Sequence, residues 1–247
     1  MLLSTPGLVL HTTPYGETSL VAKVFTRQLG LRSYLVKGVR GPRSRVKQNL
    51  LQPLSCIDMV VYDNPKNDLN YIKELSPRHP GYSASVPLSH SATQSALRFF
   101  MTEVLYKALR EEEPMPDLFD YVEAESDCQN APATLPIVFL LTVAHHLGIE
   151  PLDNFTPREP YFDLQEGRYV ATPTETTLPP ALSSLLHTYL SACGKTGAGS
   201  EDEPQENMMP PLNDRRALID ALLAYCQLHL SGFRNFHSHE ILHTILK

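Results

Sequence analysis

Eight of the 21 Lys and Arg residues fall in the first fifty positions, Lys23, Arg27, Arg32, Lys37, Arg40, Arg43, Arg45 and Lys47, against a single carboxylate, Glu17. Cations at that density suit a polyanion, because Lys and Arg replace the counterions condensed on phosphates. Arg adds a planar guanidinium that stacks on bases, and an aromatic ring such as Tyr34 offers a stacking platform that tolerates any base. The first fifty residues are near +7, while the other 197, with 13 basic and 26 acidic side chains, are near −13; the total of −6 hides this. A whole-chain pI of about 5.9 argues against nucleic acid. The distribution argues for it, with no preference for sequence.

Two motifs resemble catalytic ones. His239–Glu240–Ile241–Leu242–His243 matches H-E-x-x-H, in which histidines at i and i+4 bind zinc and the Glu acts as general base. A catalytic zinc needs a third protein ligand, and only four residues follow. His229 or His237 would have to supply it from upstream, and the simpler expectation is a terminal amphipathic helix with Ile241, Leu242 and Ile245 packed inward. Gly194–Lys195–Thr196 matches the end of a P-loop, but the position of its first glycine is Tyr189 and no strand precedes it. Nothing resembles a G-x-S-x-G elbow, and of the pair His145–His146, set in an apolar run, one ring is expected in the core. The expectation is therefore no catalytic residue, no metal and no cofactor.

The elements that must position the cations read as strands and turns over residues 1–80. Leu8–Val9–Leu10 is a short apolar run ending at Thr12–Pro14, and Tyr15–Gly16 supplies turn chemistry before Thr18–Thr26. Gly30 suits a positive φ at a hairpin turn into Leu31–Lys37. Alternation there puts Arg32, Tyr34 and Val36 on one side, a face both aromatic and cationic. Val39–Lys47 reads as a loop holding four of the cations. Leu54–Tyr62 and Leu69–Leu75 follow, joined by the turn cluster Asp63–Asn67. Five short strands with a long polar loop fit a small antiparallel barrel; the OB-fold is the oligonucleotide-binding member of that class, and an SH3-like barrel gives much the same pattern.

From about Ser89 the period becomes 3.6, with Ala96, Leu97, Phe100, Val104, Leu105 and Leu109 on one helical face and Ser91 or Thr93 as candidate caps. Further helices are expected over 116–127, 133–147, 180–192, 214–230 and 238–246, with a small hairpin near 160–172 and a flexible loop near 195–211. The fold class is thus α+β: an N-terminal five-stranded OB-fold barrel over residues 1–80, then a mainly α-helical domain over 81–247. The apolar helix around Leu135–Leu147 is expected at the centre of that domain. No stretch has the ~18 apolar residues of a spanning helix and no signal peptide leads the chain, so a cytoplasmic protein is expected. Cys56, Cys128, Cys193 and Cys226 form no C-x-x-C pair and read as small core residues.

The order of these features resembles the bacterial recombination mediator RecO family. The likeness rests on Gly7–Leu8–Val9–Leu10, Tyr15–Gly16–Glu17–Thr18, Phe25–Thr26–Arg27–Gln28–Leu29–Gly30 and Val36–Lys37–Gly38–Val39–Arg40 leading to Ser44. It returns in Tyr225, Leu228–His229–Leu230, Arg234 and Ser238–His239–Glu240–Ile241–Leu242. The resemblance implies an OB-fold, a helical C-terminal domain, binding and annealing of single- and double-stranded DNA, a RecR-like partner, and help in loading RecA onto DNA coated by single-strand-binding protein. It also implies that the acidic, hydrophobic C-terminal tail of that coating protein docks on the helical domain, where Arg98, Lys107 and Arg110 are the nearest cations in sequence to the apolar helix. Many family members carry four zinc cysteines in this domain. Pro157–Thr172 has no Cys or His, so no structural zinc is expected and Tyr161, Phe162 and Tyr169 must hold the hairpin by packing.

The expected function is a non-enzymatic DNA-binding mediator acting through Lys23, Arg27, Arg32, Tyr34, Lys37, Arg40, Arg43, Arg45 and Lys47. A protein-interaction adaptor, whose basic barrel meets an acidic protein, is the alternative. A metal hydrolase built on the terminal helix is a weaker third.

Overall fold

The computed structural model of the chain describes residues 2–39, 49–64, 66–78, 91–128, 130–193 and 210–245. Met1–Asn130 and Ala131–Lys247 form two compact units. In the first, β1 (Leu2–Tyr15), β2 (Ser19–Thr26), β3 (Gly30–Val36), β4 (Cys56–Tyr62) and β5 (Leu69–Pro77) close into a barrel in the order β1-β2-β3-β5-β4. Among the five described barrel strands, the β3 to β5 pairing is parallel and the other pairings are antiparallel. The barrel is an OB-fold, so of the two architectures that the pattern allowed, this one forms.

β1 is far longer than its apolar run. Its first half pairs with β4, from Leu2↔Tyr62 to Leu8↔Cys56, and its second half with β2, from Gly7↔Thr26 to Tyr15↔Ser19. A strand shared between two neighbours has to bend, and the register shift between Val9 and His11 supplies that bend. Inside the barrel lie Val9, Ala22, Val24, Tyr34, Val36, Ile57, Met59 and Val61. Gly7 borders them: a Cβ there would strike Val24 and Met59. Gly30 has the expected positive φ, 68°, and the Glu113 backbone packs so closely on it that no side chain fits.

Two helices, α1 (Ala92–Ala108) and α2 (Pro116–Glu125), belong to the same unit as the barrel. Ser91 caps α1 in a capping box: its Oγ accepts from the Gln94 N–H at 3.1 Å, and Gln94 Oε1 accepts from the Ser91 N–H at 2.8 Å. Phe119 of α2 meets Phe25 of β2 edge to face, ring centres 5.6 Å apart. Arg98 of α1 is buried and donates to the carbonyls of Pro53 and Ser126. The change of period near Ser89 is therefore not the boundary between compact units. That boundary follows Asn130.

The second unit holds α3 (Leu135–His146), the hairpin β6 (Tyr161–Asp163) and β7 (Arg168–Val170), then α4 (Pro180–Cys193), α5 (Leu212–His229) and α6 (Ser238–Ile245). Most of α3 is buried, as its unbroken apolar run requires. His145 and His146 escape that burial at its C-terminus, and His145 pairs with Glu150 at 2.6 Å. The hairpin is held by Phe162 and Tyr169, both fully buried with rings 5.1 Å apart, whereas Tyr161 is only half-buried. Asp163 secures the turn: its carboxylate accepts from the N–H groups of Gln165 and Glu166 and from the hydroxyls of Thr174 and Thr176. Burial alone would raise the Asp163 carboxyl, but these four donors outweigh it and hold the group below its ordinary range.

Candidate nucleic-acid interface

Of the nine residues assigned to the interface from sequence, Arg40, Arg43, Arg45 and Lys47 lie outside the described residues, as do residues 195–209 of the expected flexible loop. The other five are set on β2, the β2–β3 turn, β3 and the segment just after β3. Lys23 sits 2.7 Å from the Glu111 carboxylate and 5.4 Å from the centre of the Tyr106 ring. Arg27 grips Asp120 with two parallel bonds, Nε to Oδ1 at 2.7 Å and Nη2 to Oδ2 at 2.8 Å. That hydrogen-bonded pairing raises the guanidinium further and lowers the Asp120 carboxyl.

Arg32 and Tyr34 correct the sequence reading. The alternation grouped them properly with Val36, but this face is the barrel interior. Tyr34 has no exposed surface, and burial pushes its phenol well up, so it offers no ring to a base. The Arg32 side chain is only 10% exposed, with Nη1 3.2 Å from Asp63 Oδ1 and 3.6 Å from Glu112 Oε1. A cation is tolerated at the end of a core face only when so neutralised.

Lys37 differs from the other four. It lies beyond the end of β3, exposed, with Nζ 4.9 Å from the centre of the Tyr71 ring, and among the described residues it pairs with no carboxylate. A cation so placed on an exposed ring gains about 0.5–1 kcal/mol and keeps its charge available to solvent.

The partners explain why the N-terminal charge excess misleads. Glu111 and Glu112 follow α1 and Asp120 lies on α2, all within the barrel's own unit. Met1–Asn130 contains fourteen basic and fourteen acidic side chains. The barrel is cationic, but the unit that contains it is neutral, its cations partly capped by carboxylates from later in the chain.

Other chemistry-bearing groups are resolved by geometry. In the second unit Ser191 Oγ and His187 Nδ1 both bond Asp153, at 2.9 and 2.6 Å, and the Ser191 hydroxyl lies 3.3 Å from that same Nδ1. A hydrolytic triad needs Ser and Asp on opposite imidazole nitrogens, so this cluster is a structural tie. In the H-E-x-x-H stretch the rings of His239 and His243 meet edge on, 5.8 Å apart, and His243 Nε2 is 3.5 Å from Asp220. Leu242 is fully buried, but Ile241, expected inward, is half exposed: eight residues of helix offer a narrow apolar face. Among the described residues no three His, Cys, Asp or Glu converge as a metal ion requires. Tyr189, at the P-loop's first glycine position, is inside α4. Cys56, Cys128 and Cys226 are buried, and burial pushes their thiols up to about 11, 11 and 12.

Two features of use to a binding protein were missed from sequence. An open cavity of about 670 Å³ in the second unit is lined by Leu223, Leu228 and Phe236 together with Arg234, His239 and Asp220. Tyr62 and Tyr71 are paired across β4 and β5 and half exposed. Each continues the outward parity of its strand, a signal present in the alternation.

The family model described as Recombination protein O N terminal matches residues 1–80, the span of the barrel. The DNA repair protein RecO of Phocaeicola vulgatus is 33% identical over 175 residues, covering 69% of this chain and 71% of that protein. The chain belongs to the RecO family. The RecO of Bacteroides fragilis is 31% identical over 176 residues with the same coverage. That of Azobacteroides pseudotrichonymphae is 24% identical over 249 residues, 99% of both chains, so the likeness to RecO extends through both compact units. No helix among the described residues is long and apolar enough to cross a membrane.

Proposed function

We propose that this chain is a non-enzymatic mediator of DNA repair and recombination, which binds single- and double-stranded DNA without sequence preference and promotes annealing. The observation that carries the reading is the OB-fold barrel matched by the RecO N-terminal family model, with Lys37 exposed beside it and paired with no carboxylate among the described residues. Phosphate contact falls to Lys37 with Arg40, Arg43, Arg45 and Lys47, while Lys23 and Arg27 contribute when phosphate displaces Glu111 and Asp120. Neutralising two strands at once removes the repulsion that slows their pairing. The second unit would engage proteins: a RecR-like partner, and the tail of single-strand-binding protein, for which the cavity offers apolar walls at Leu223, Leu228 and Phe236 and a cation at Arg234. Arg98 and Lys107 fit that role poorly, the first being buried and the second paired with Glu103 at 3.1 Å. This work is placed in the cytoplasm, at the nucleoid.

Fluorescence anisotropy with a labelled single-stranded oligonucleotide of arbitrary sequence, at several salt concentrations, tests the reading. Saturable binding with a steep negative log–log salt slope is expected, and no binding at low salt would sink it. The adaptor reading gains from the carboxylates already on Lys23, Arg27 and Arg32. It predicts little DNA binding above ~100 mM salt, where charges farther than ~10 Å are screened.

A further inference from the structure

The barrel's outer wall carries a transverse row of apolar residues where water-facing polar ones are the rule. Val21 pairs with Leu35, Leu35 with Tyr71, Tyr71 with Tyr62 and Tyr62 with Leu2, so the row runs in register from β2 through β3, β5 and β4 to β1. At the β2 and β3 end it is covered, with Leu35 6% exposed. At the other end Tyr71, Tyr62 and Leu2 are 42%, 52% and 49% exposed. Two half-exposed tyrosines therefore occupy paired positions on neighbouring strands, about 4.8 Å apart at the backbone, with the Lys37 ammonium over the Tyr71 ring.

We infer that Tyr62 and Tyr71, with Lys37, form a stacking platform for unpaired bases, which gives the barrel a preference for single-stranded over double-stranded nucleic acid. This rests on the DNA-binding function proposed above and assigns it a strand preference. Exposed rings in pairs serve protein partners too, and the choice of occupant follows from charge. Lys37 pairs with no carboxylate among the described residues, whereas Lys23 and Arg27 are each engaged by one and Arg32 by two. A flat ring beside an uncompensated cation matches a base beside its phosphate, and stacking on it tolerates any sequence. In a duplex the base faces are already stacked on each other, so only backbone contacts remain to it.

The test compares the full chain with a double variant, Tyr62→Ala and Tyr71→Ala, by anisotropy on a single-stranded oligonucleotide and on a duplex of equal length, each over a salt series. Both side chains are half exposed, so truncation opens no cavity in the core, and a thermal melt checks folding. The double variant is expected to lose roughly tenfold or more on the single strand, to stay within about twofold on the duplex, and to keep the same salt slope, since no cation is removed. Tyr62→Phe with Tyr71→Phe is expected to retain affinity. Lys37→Gln is expected to lower the single-strand slope by about 0.7. Unchanged single-strand affinity in the alanine variant, or an equal loss on both strands, overturns the platform and leaves the row to a protein partner. A wild-type chain that binds neither strand at low salt overturns the DNA-binding reading and the platform with it.

Discussion

Tyr34 fills the barrel, and its hydroxyl is buried with no hydrogen-bond partner among the described residues. An unmade hydrogen bond in the interior costs more than an apolar atom would, so Tyr34→Phe is expected to leave the urea midpoint unchanged or raise it. Tyr34→Ala is expected to cost about 3–5 kcal/mol through the cavity left behind. A clear loss of stability in the phenylalanine variant would mean that the hydroxyl has a partner. Alternation along β3 fixes which residues share a face, but not which face meets water. Arg32 made the inner face look polar, and its neutralisation by Asp63 and Glu112, far off in sequence, could not be read from β3 itself. By contrast Gly30 and Ser91 were legible, because a positive φ and a capping box are set by a few neighbouring residues.

At the level of elements, α2 acts on the barrel through charge as well as packing. Asp120→Asn removes the clasp on Arg27, and because both side chains are substantially exposed the melting temperature should change little. The freed guanidinium is expected to tighten single-strand binding severalfold at low salt and to steepen the salt slope by about 0.7. Identical titrations for wild type and variant would place Arg27 beyond reach of the phosphates. The β6–β7 hairpin gives a pH test. The folded state holds the Asp163 carboxyl below its usual 3.8, so the ionised form stabilises the hairpin fully above that value, and the contribution drains away as pH falls toward the folded value. Wild type should melt above Asp163→Asn at neutral pH, and the two melting curves should converge below about pH 4; a constant gap down to pH 3 would contradict the assignment. The helices themselves were read nearly to the residue, since most alternate faces with a 3.6 period and α3 is one long apolar run closed by Gly148. β1 was not, because only its middle faces the core.

For the whole molecule, the composition break near residue 80 does not coincide with the boundary between the compact units. The barrel needs Phe119, Arg98 and the Glu113 backbone, all from residues after 80. A fragment of residues 1–130 is expected to fold with a dispersed amide NMR spectrum, while 1–80, with Phe25 and Leu31 uncovered, is expected to aggregate or stay disordered. Equal behaviour of the two fragments would show that the helices add nothing to the barrel. The neutrality of Met1–Asn130 has a further, kinetic consequence. A body with balanced opposite charges has a field that dies away faster with distance than that of a net cation, so it draws a strand in only at close range. Capture should therefore proceed at an almost unsteered rate that varies little with ionic strength, and added salt should act mainly by shortening the time a strand stays bound.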